Sequence, residues 1–276
     1  MTPCSIDARA EPLAGTAPHT RGWLIVEHPG PYPRVASEAL GVLGDQLRSA
    51  CQRKGLTLVL ARRPRTQGRR AWLAVGGAVA VWHDVEAEDL LELPHTELDT
   101  RDAVATTADP VLFVCTNGKR DACCAQFGRP VAQALLAEGL SVWECSHLGG
   151  HRFAPTALLL PHGAVHGRLT IESARALLAS DHVDDALQSL RGISHLPADH
   201  QVADIAVRRT HEIPTSTRLE VESTDDGPDR RTCTVRHPDG RTWQVQLARR
   251  SGDARAESCA KEPAVPQWWT VGAPIA

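Results

Sequence analysis

Long apolar runs are missing from these 276 residues. No stretch reaches the roughly 18 apolar residues a membrane helix needs, so no membrane span is expected. The opening MTPCSIDARAEPLAGTAPHTRG lacks the apolar centre of a secretory signal, so a cytoplasmic protein is expected. Lysine is confined to positions 54, 119 and 261, and the formal net charge is −3. Without a basic surplus there is no electrostatic case for nucleic acid or an acidic membrane surface. A Gly-rich dinucleotide fingerprint is missing, so a bound nicotinamide or flavin is not indicated. Cys-x-x-Cys is missing too, which counts against a thioredoxin-type dithiol.

Cysteine, by contrast, is plentiful. There are 8, at positions 4, 51, 115, 123, 124, 145, 233 and 259. In a chain of this size without a signal, they point to a reducing compartment and to metal or redox chemistry, not to a disulfide framework. Cys4, Cys51, Cys233 and Cys259 stand alone in the sequence and are assigned no role.

The chain reads as β-α-β-β, twice. Trp23–Glu27 is an apolar run ended by His-Pro-Gly-Pro, hence a buried strand. Val35–Arg53 has a helical period closed by Gly55, and Leu56–Ala61 is again a strand. Arg62–Arg70 is a basic loop, solvated or in contact with an anion or partner. Ala71–Val75 and Val79–Trp82 form a hairpin around Gly76-Gly77. After an acidic connection (84–102), Val111–Val114 is a strand, Pro130–Glu138 a helix and Leu140–Cys145 a strand. Ala157–Leu160 and Ala164–Leu169 then form a hairpin around His162-Gly163. Ile171–Ala179 and Val183–Leu190 are helical by period. The two units are expected to be alike and to share one sheet, with Cys115 aligned to Glu27. From about 200 onward, alternating runs at Thr217–Val221, Thr232–Arg236 and Thr242–Leu247 predict a small antiparallel meander. Trp268 and Trp269 read as packing residues. Three regions result: 1–102, 103–198 and 199–276.

The chemistry concentrates in VLFVCTNGKRDACCAQFGRPVAQALLAEGLSVWECSHLGGHRFAPT, residues 111–156. One strand ends in Cys115, and a polar loop leads to Cys123 and Cys124. The next strand ends near His147, and Gly149-Gly150 separates it from His151. Two thiols and two imidazoles therefore gather at one sheet edge, a donor set for zinc or an iron–sulfur centre. The cysteine spacing is wider than a zinc knuckle and fits a bulkier group better. Cys123 or Cys124 can supply the second thiolate. Cys145 points the same way as His147 by strand alternation and is an alternative ligand. His162-x3-His166 repeats the imidazole spacing, but it spans a hairpin turn and reads as surface.

CTNGKRDACC followed by HLGGHRFAPT resembles the sucrase/ferredoxin-like family. The opening CS…EPLAGTAP…WLIVEHPGPY and the late ESCAKEP…QWW resemble its bacterial members. The resemblance implies a thioredoxin-like ferredoxin domain in an α/β chain, preceded by the similar β-α-β-β unit and followed by a small antiparallel β region. It implies a [2Fe–2S] cluster held by Cys115, Cys124, His147 and His151, with Cys124 preferred over Cys123. Nothing resembles a paired-carboxylate glycosidase.

The implied function is electron transfer to an unidentified redox partner protein. Two neutral imidazoles in place of two thiolates make such a site less negative and raise its potential, and imidazole protonation can couple to it. Lys119, Arg120 and Arg152 flank the ligands and are candidates to stabilise a reduced site, Arg120 alternatively as an ion pair with Asp121. Two other classes stay open: a zinc-stabilised Cys2His2 structural or interaction module, and a cluster-free thiol oxidoreductase.

Overall fold

The structure is a computed structural model and describes residues 3–66, 68–98, 109–179, 183–258 and 261–272. Cys259 and part of the acidic connection lie outside the described residues. A short helix α1 (Cys4–Asp7) and a 3-10 turn (Ala8–Ala10) come first. The first unit is β1 (Gly22–Glu27), α2 (Gly41–Arg53), β2 (Leu56–Arg62), β3 (Ala71–Val75) and β4 (Ala78–Trp82). The second is β5 (Val111–Cys115), α3 (Ala122–Ala137), β6 (Val142–Cys145), β7 (Ala157–Leu160) and β8 (Ala164–His166). Then follow α4 (Ile171–Ala176), α5 (Val183–Ser189), β9 (Leu190–Ile193), α6 (Ala198–His211), β10 (Glu220–Asp225), β11 (Arg230–Arg236) and β12 (Thr242–Ser251). Two-residue strands β13 (Arg255–Ala256) and β14 (Pro263–Ala264) precede β15 (Gln267–Val271).

The two units do share one mixed sheet, in the order β4-β3-β1-β2-β6-β5-β7-β8-β9. Each places its first two strands parallel, the third antiparallel to the first, and the fourth antiparallel to the third. They meet where β2 and β6 overlap by their ends, Ala61 opposite Cys145 and Arg62 opposite Glu144. Glu27 and Cys115 occupy equivalent strand-end positions, paired with Ala61 and Cys145 respectively. Strands β1 and β6 are buried at every residue, because both sheet faces are covered. That is why β1 reads as an apolar run, Trp23–Val26, instead of an alternating one. The basic loop is tied inward: Arg62 pairs with Glu144 at 2.7 Å, and Thr66 donates to Glu27.

Several expectations need correction. The helix of the second unit begins at Ala122, not near Pro130, so Cys123 and Cys124 sit in its first turn. Asp121 caps it by accepting from the Cys123 N–H, and Pro130 lies inside it, where its nitrogen has no hydrogen to give the carbonyl four residues back. The first-unit helix is split, a 3-10 turn at Ala36–Leu40 before α2. Leu190 opens an edge strand, β9, and does not close a helix. Helix α6 was not legible. It lies between the large sheet and the four-stranded meander β10-β11-β12-β15, with Gln201, Val202, Asp204, Ile205 and Arg208 all buried. Burial on two sides removes the one-sided stripe, and a buried Asp204–Arg208 pair at 2.7 Å disguises the rest as surface. Trp269 packs against the meander core, with Arg231 and Arg249 over its ring.

His166 is no surface residue either. It is fully buried on β8, with Nδ1 3.0 Å from Ser189 Oγ. Burial, reinforced by Arg191, pushes its pKa down to about 3. The folded value lies below the unfolded one, so protonation favours the unfolded chain. Stability present above about pH 6.5 is therefore lost as the pH falls, by roughly 1–2 kcal/mol between about pH 6.5 and pH 5. Urea unfolding across that range should show the slope. It should flatten in His166→Gln, and an equal slope in the variant would refute this assignment.

Candidate metal centre

Cys115 and Cys145 end adjacent parallel strands, in register. Alternation points both side chains to the same face, where they join Cys124, Leu148 and the Trp72–Phe113–Trp143 aromatic group. The loop after Cys115 is held at both ends. Asn117 donates to the Pro33 carbonyl at 3.0 Å and its own Oδ1 accepts from the Arg120 N–H. Helix α3 then lies directly on the strand end: a Cβ built on Gly128 would stand 2.2 Å from the Cys115 carbonyl oxygen. That close approach brings Cys124 to Cys115.

The imidazoles are delivered by a sharp turn. Gly149 (φ 80°) and Gly150 (φ 67°) are consecutive left-handed residues, a conformation glycine adopts without strain. The chain folds back so that the His147 and His151 rings lie 5.2 Å apart between centroids. Arg191 supports the turn from below. It is 1% exposed, donates through Nη1 to the Gly149 carbonyl at 3.0 Å, and through Nε to Thr16 Oγ1 at 3.1 Å. Gly150 leaves room for that guanidinium, since a Cβ there would be 2.1 Å from Nη2. Among the described residues no carboxylate pairs with Arg191. Burial, with the neighbouring Arg152, lowers its pKa to about 9, while the thiols of Cys124 and Cys115 act in the opposite direction.

The donor atoms of Cys115, Cys124 and His147 all lie within 4.8 Å of one another. The hydrogen bond from Cys124, together with His147, holds Cys115 well below the usual thiol range despite burial. Cys124 is pushed up by that same bond and by burial. The two sulfurs thus act on one another as a pair. Cys145 is pushed well up by burial and then by Cys115, and stays a neutral thiol. Burial lowers the His151 pKa against the pull of Asp121. His147 Nδ1 and both ring nitrogens of His151 are buried without a hydrogen bond of good geometry. Buried imidazole nitrogens and two sulfurs left facing one another fit the coordination of a metal.

The flanking residues divide. Lys119 and Arg120 are exposed on the loop. Arg152 is committed to Glu11 at 2.9 Å and lies over the Phe153 ring. Asp121 turns to the Cys123 N–H and, through Oδ2, to His151 Nε2 at 3.4 Å. Cys123 faces away from Cys124's partner, with its Sγ 3.6 Å from Cys4 Sγ. Cys51 and Cys233 are core thiols, each pushed up to about 12 by burial. Sequence reasoning missed Cys4, Glu11 and Arg191. The only local signal was an arginine between Leu190 and Gly192.

A family model described as sucrase/ferredoxin-like matches residues 13–192, about two thirds of the chain. No curated protein and no solved structure matches.

Proposed function

This chain belongs to the sucrase/ferredoxin-like family, and from that premise we propose that it is a one-electron carrier whose [2Fe–2S] cluster is held by Cys115, Cys124, His147 and His151. The observation that carries this is the approach of the Cys115 and Cys124 thiols and the His147 imidazole to within 4.8 Å of one another at the ends of β5 and β6, with the His151 ring 5.2 Å from that of His147 and ring nitrogens of both buried and unsatisfied. When bound, such a cluster supplies one-electron transfer, at a higher potential with imidazole ligands than with thiolates alone. The chain's own residues do the rest. Gly128 and the Asp121 cap set the distance between the cysteines, and the Gly149-Gly150 turn sets the imidazoles. Arg191 places a buried positive charge behind the site, favouring its more negative, reduced state. Exposed Lys119 and Arg120 offer an acidic redox partner protein a basic approach.

The order β6-β5-β7-β8 supports a thioredoxin-like reading of this unit. Among the described residues no helix is long and apolar enough to cross a membrane. The second reading is a zinc-stabilised module, favoured by three donors close enough for a single ion.

The visible spectrum of anaerobically purified protein, with iron and zinc quantified on the same sample, tests this. Two irons per chain and a red-brown colour bleached by dithionite are expected. Colour should be lost in Cys115→Ala and Cys124→Ala and kept in Cys123→Ala. A colourless protein whose zinc is lost in Cys115→Ala would establish the zinc module instead.

A further inference from the structure

The vicinal cysteines serve two different places. Cys124 turns to Cys115, while Cys123 turns to the N-terminal segment, where its Sγ lies 3.6 Å from Cys4 Sγ. Both thiols of that second pair are buried, at 2% and 1% exposure. Two thiolates on one tetrahedral zinc, with bonds near 2.3 Å, stand about 3.8 Å apart. The donor atoms of Cys4, Asp121 and His151 also lie within 4.8 Å of one another. Asp121 Oδ1 is taken by the Cys123 N–H, but Oδ2 faces His151 Nε2 at 3.4 Å. Cys4 Sγ, one Asp121 carboxylate oxygen and one His151 ring nitrogen therefore converge from α1, the start of α3 and the turn after β6, with Cys123 Sγ lying against Cys4 Sγ.

The surroundings suit an anionic centre. Arg152, Arg168 and Arg191 all lie over the ring of Phe153, two residues from His151. Arg152 and Arg255 meet at the carboxylate of Glu11, each 2.9 Å away, and Arg168 donates to the Ala8 and Glu11 carbonyls. Arg152, Arg168 and Arg255 thus hold the segment that follows Cys4, two of them through the Glu11 carboxylate, and Arg191 ties Thr16 to the turn. Two thiolates and an aspartate around a divalent ion leave a net negative charge, which this shell offsets.

We propose that Cys4, Cys123, Asp121 and His151 form a second metal site, for zinc, that clamps the N-terminal segment onto the turn bearing the imidazoles. Two thiolates with nitrogen and oxygen donors in a closed, buried setting select zinc over harder cations. His151 gives zinc the nitrogen that faces Asp121, Nε2, and keeps Nδ1 for the neighbouring centre. The zinc site stands on its own donors, and only the sharing of His151 rests on the cluster reading.

The test uses the full chain, expressed with iron and zinc both supplied, purified anaerobically and dialysed against a weak chelator. Zinc and iron are measured on one sample, and zinc X-ray absorption reports the sulfur count. About one zinc per chain with two sulfur neighbours is expected. Cys4→Ser and Cys123→Ser should lose zinc while keeping iron and colour. Cys115→Ser should lose iron and keep zinc. Asp121→Asn preserves the helix cap and so guards against misfolding; it should weaken zinc retention by roughly tenfold or more. His151→Ala should strike both metals. A coloured protein without zinc overturns this site and leaves the cluster standing. A colourless protein whose single zinc depends on Cys4 and not on Cys115 supports this site and removes the cluster. Loss of iron, with zinc unchanged, in Cys4→Ser would make Cys4 a ligand of the first centre and refute the second.

Discussion

Gly128→Ala should both destabilise the protein and strip its iron. The added Cβ would stand 2.2 Å from the Cys115 carbonyl oxygen and 3.3 Å from its carbonyl carbon. Both are backbone atoms of a central strand, so no rotamer change relieves the clash. Helix α3 must shift away from β5, and Cys124 shifts with it. Overpacking of this kind costs about 1–3 kcal/mol, and a contact this short against backbone belongs at the upper end. The same displacement breaks the Cys115–Cys124 approach on which coordination depends. Urea unfolding and iron content measure the two effects. Gln126→Ala, an exposed site on the same helix, is the control and should stay within about 0.5 kcal/mol. If Gly128→Ala kept both stability and iron, the close helix–strand approach would not be what sets the thiol pair.

Arg191→Leu should cost about 3 kcal/mol or more. The guanidinium is buried and donates to Gly149 O, Thr16 Oγ1 and Thr16 O. Leucine leaves those acceptors in an apolar setting without partners, at about 1–3 kcal/mol each and less than additively. It also frees the Gly149-Gly150 turn, so His147 and His151 lose their fixed positions. In iron-loaded protein that still folds, removing a buried positive charge should lower the reduction potential. Arg191→Lys, which keeps the charge but not the planar fork, should recover the potential more than the stability. A potential equal in wild type, Leu and Lys variants would show that the cation does not act on the site. Unchanged stability in Arg191→Leu would show that it does not hold the turn.

The repeated β-α-β-β order was legible because each element has a local cause. WLIVE and VLFVC are apolar runs. Gly76-Gly77 and the proline–glycine punctuation end elements wherever they occur, since φ preferences belong to the residue itself. The thiols and imidazoles of 115–151 could likewise be placed near one another, because the ends of β5 and β6 and a glycine turn bring them together over short stretches of chain. Helix α6 could not be read, since periodicity reports burial only when one side stays wet, and α6 is covered on both. The burial of His166 was hidden for a related reason: a polar residue carries no mark of the partner that satisfies it. Cys4 meets Cys123 across 119 positions, and Arg191 reaches Thr16 across 175. Contacts that distant leave no spacing in the sequence. They exist only because the sheet brings the N-terminal segment and β9 to the same end of β5 and β6. The sequence thus determined which residues offer the chemistry, and the tertiary structure decided which of them face one another.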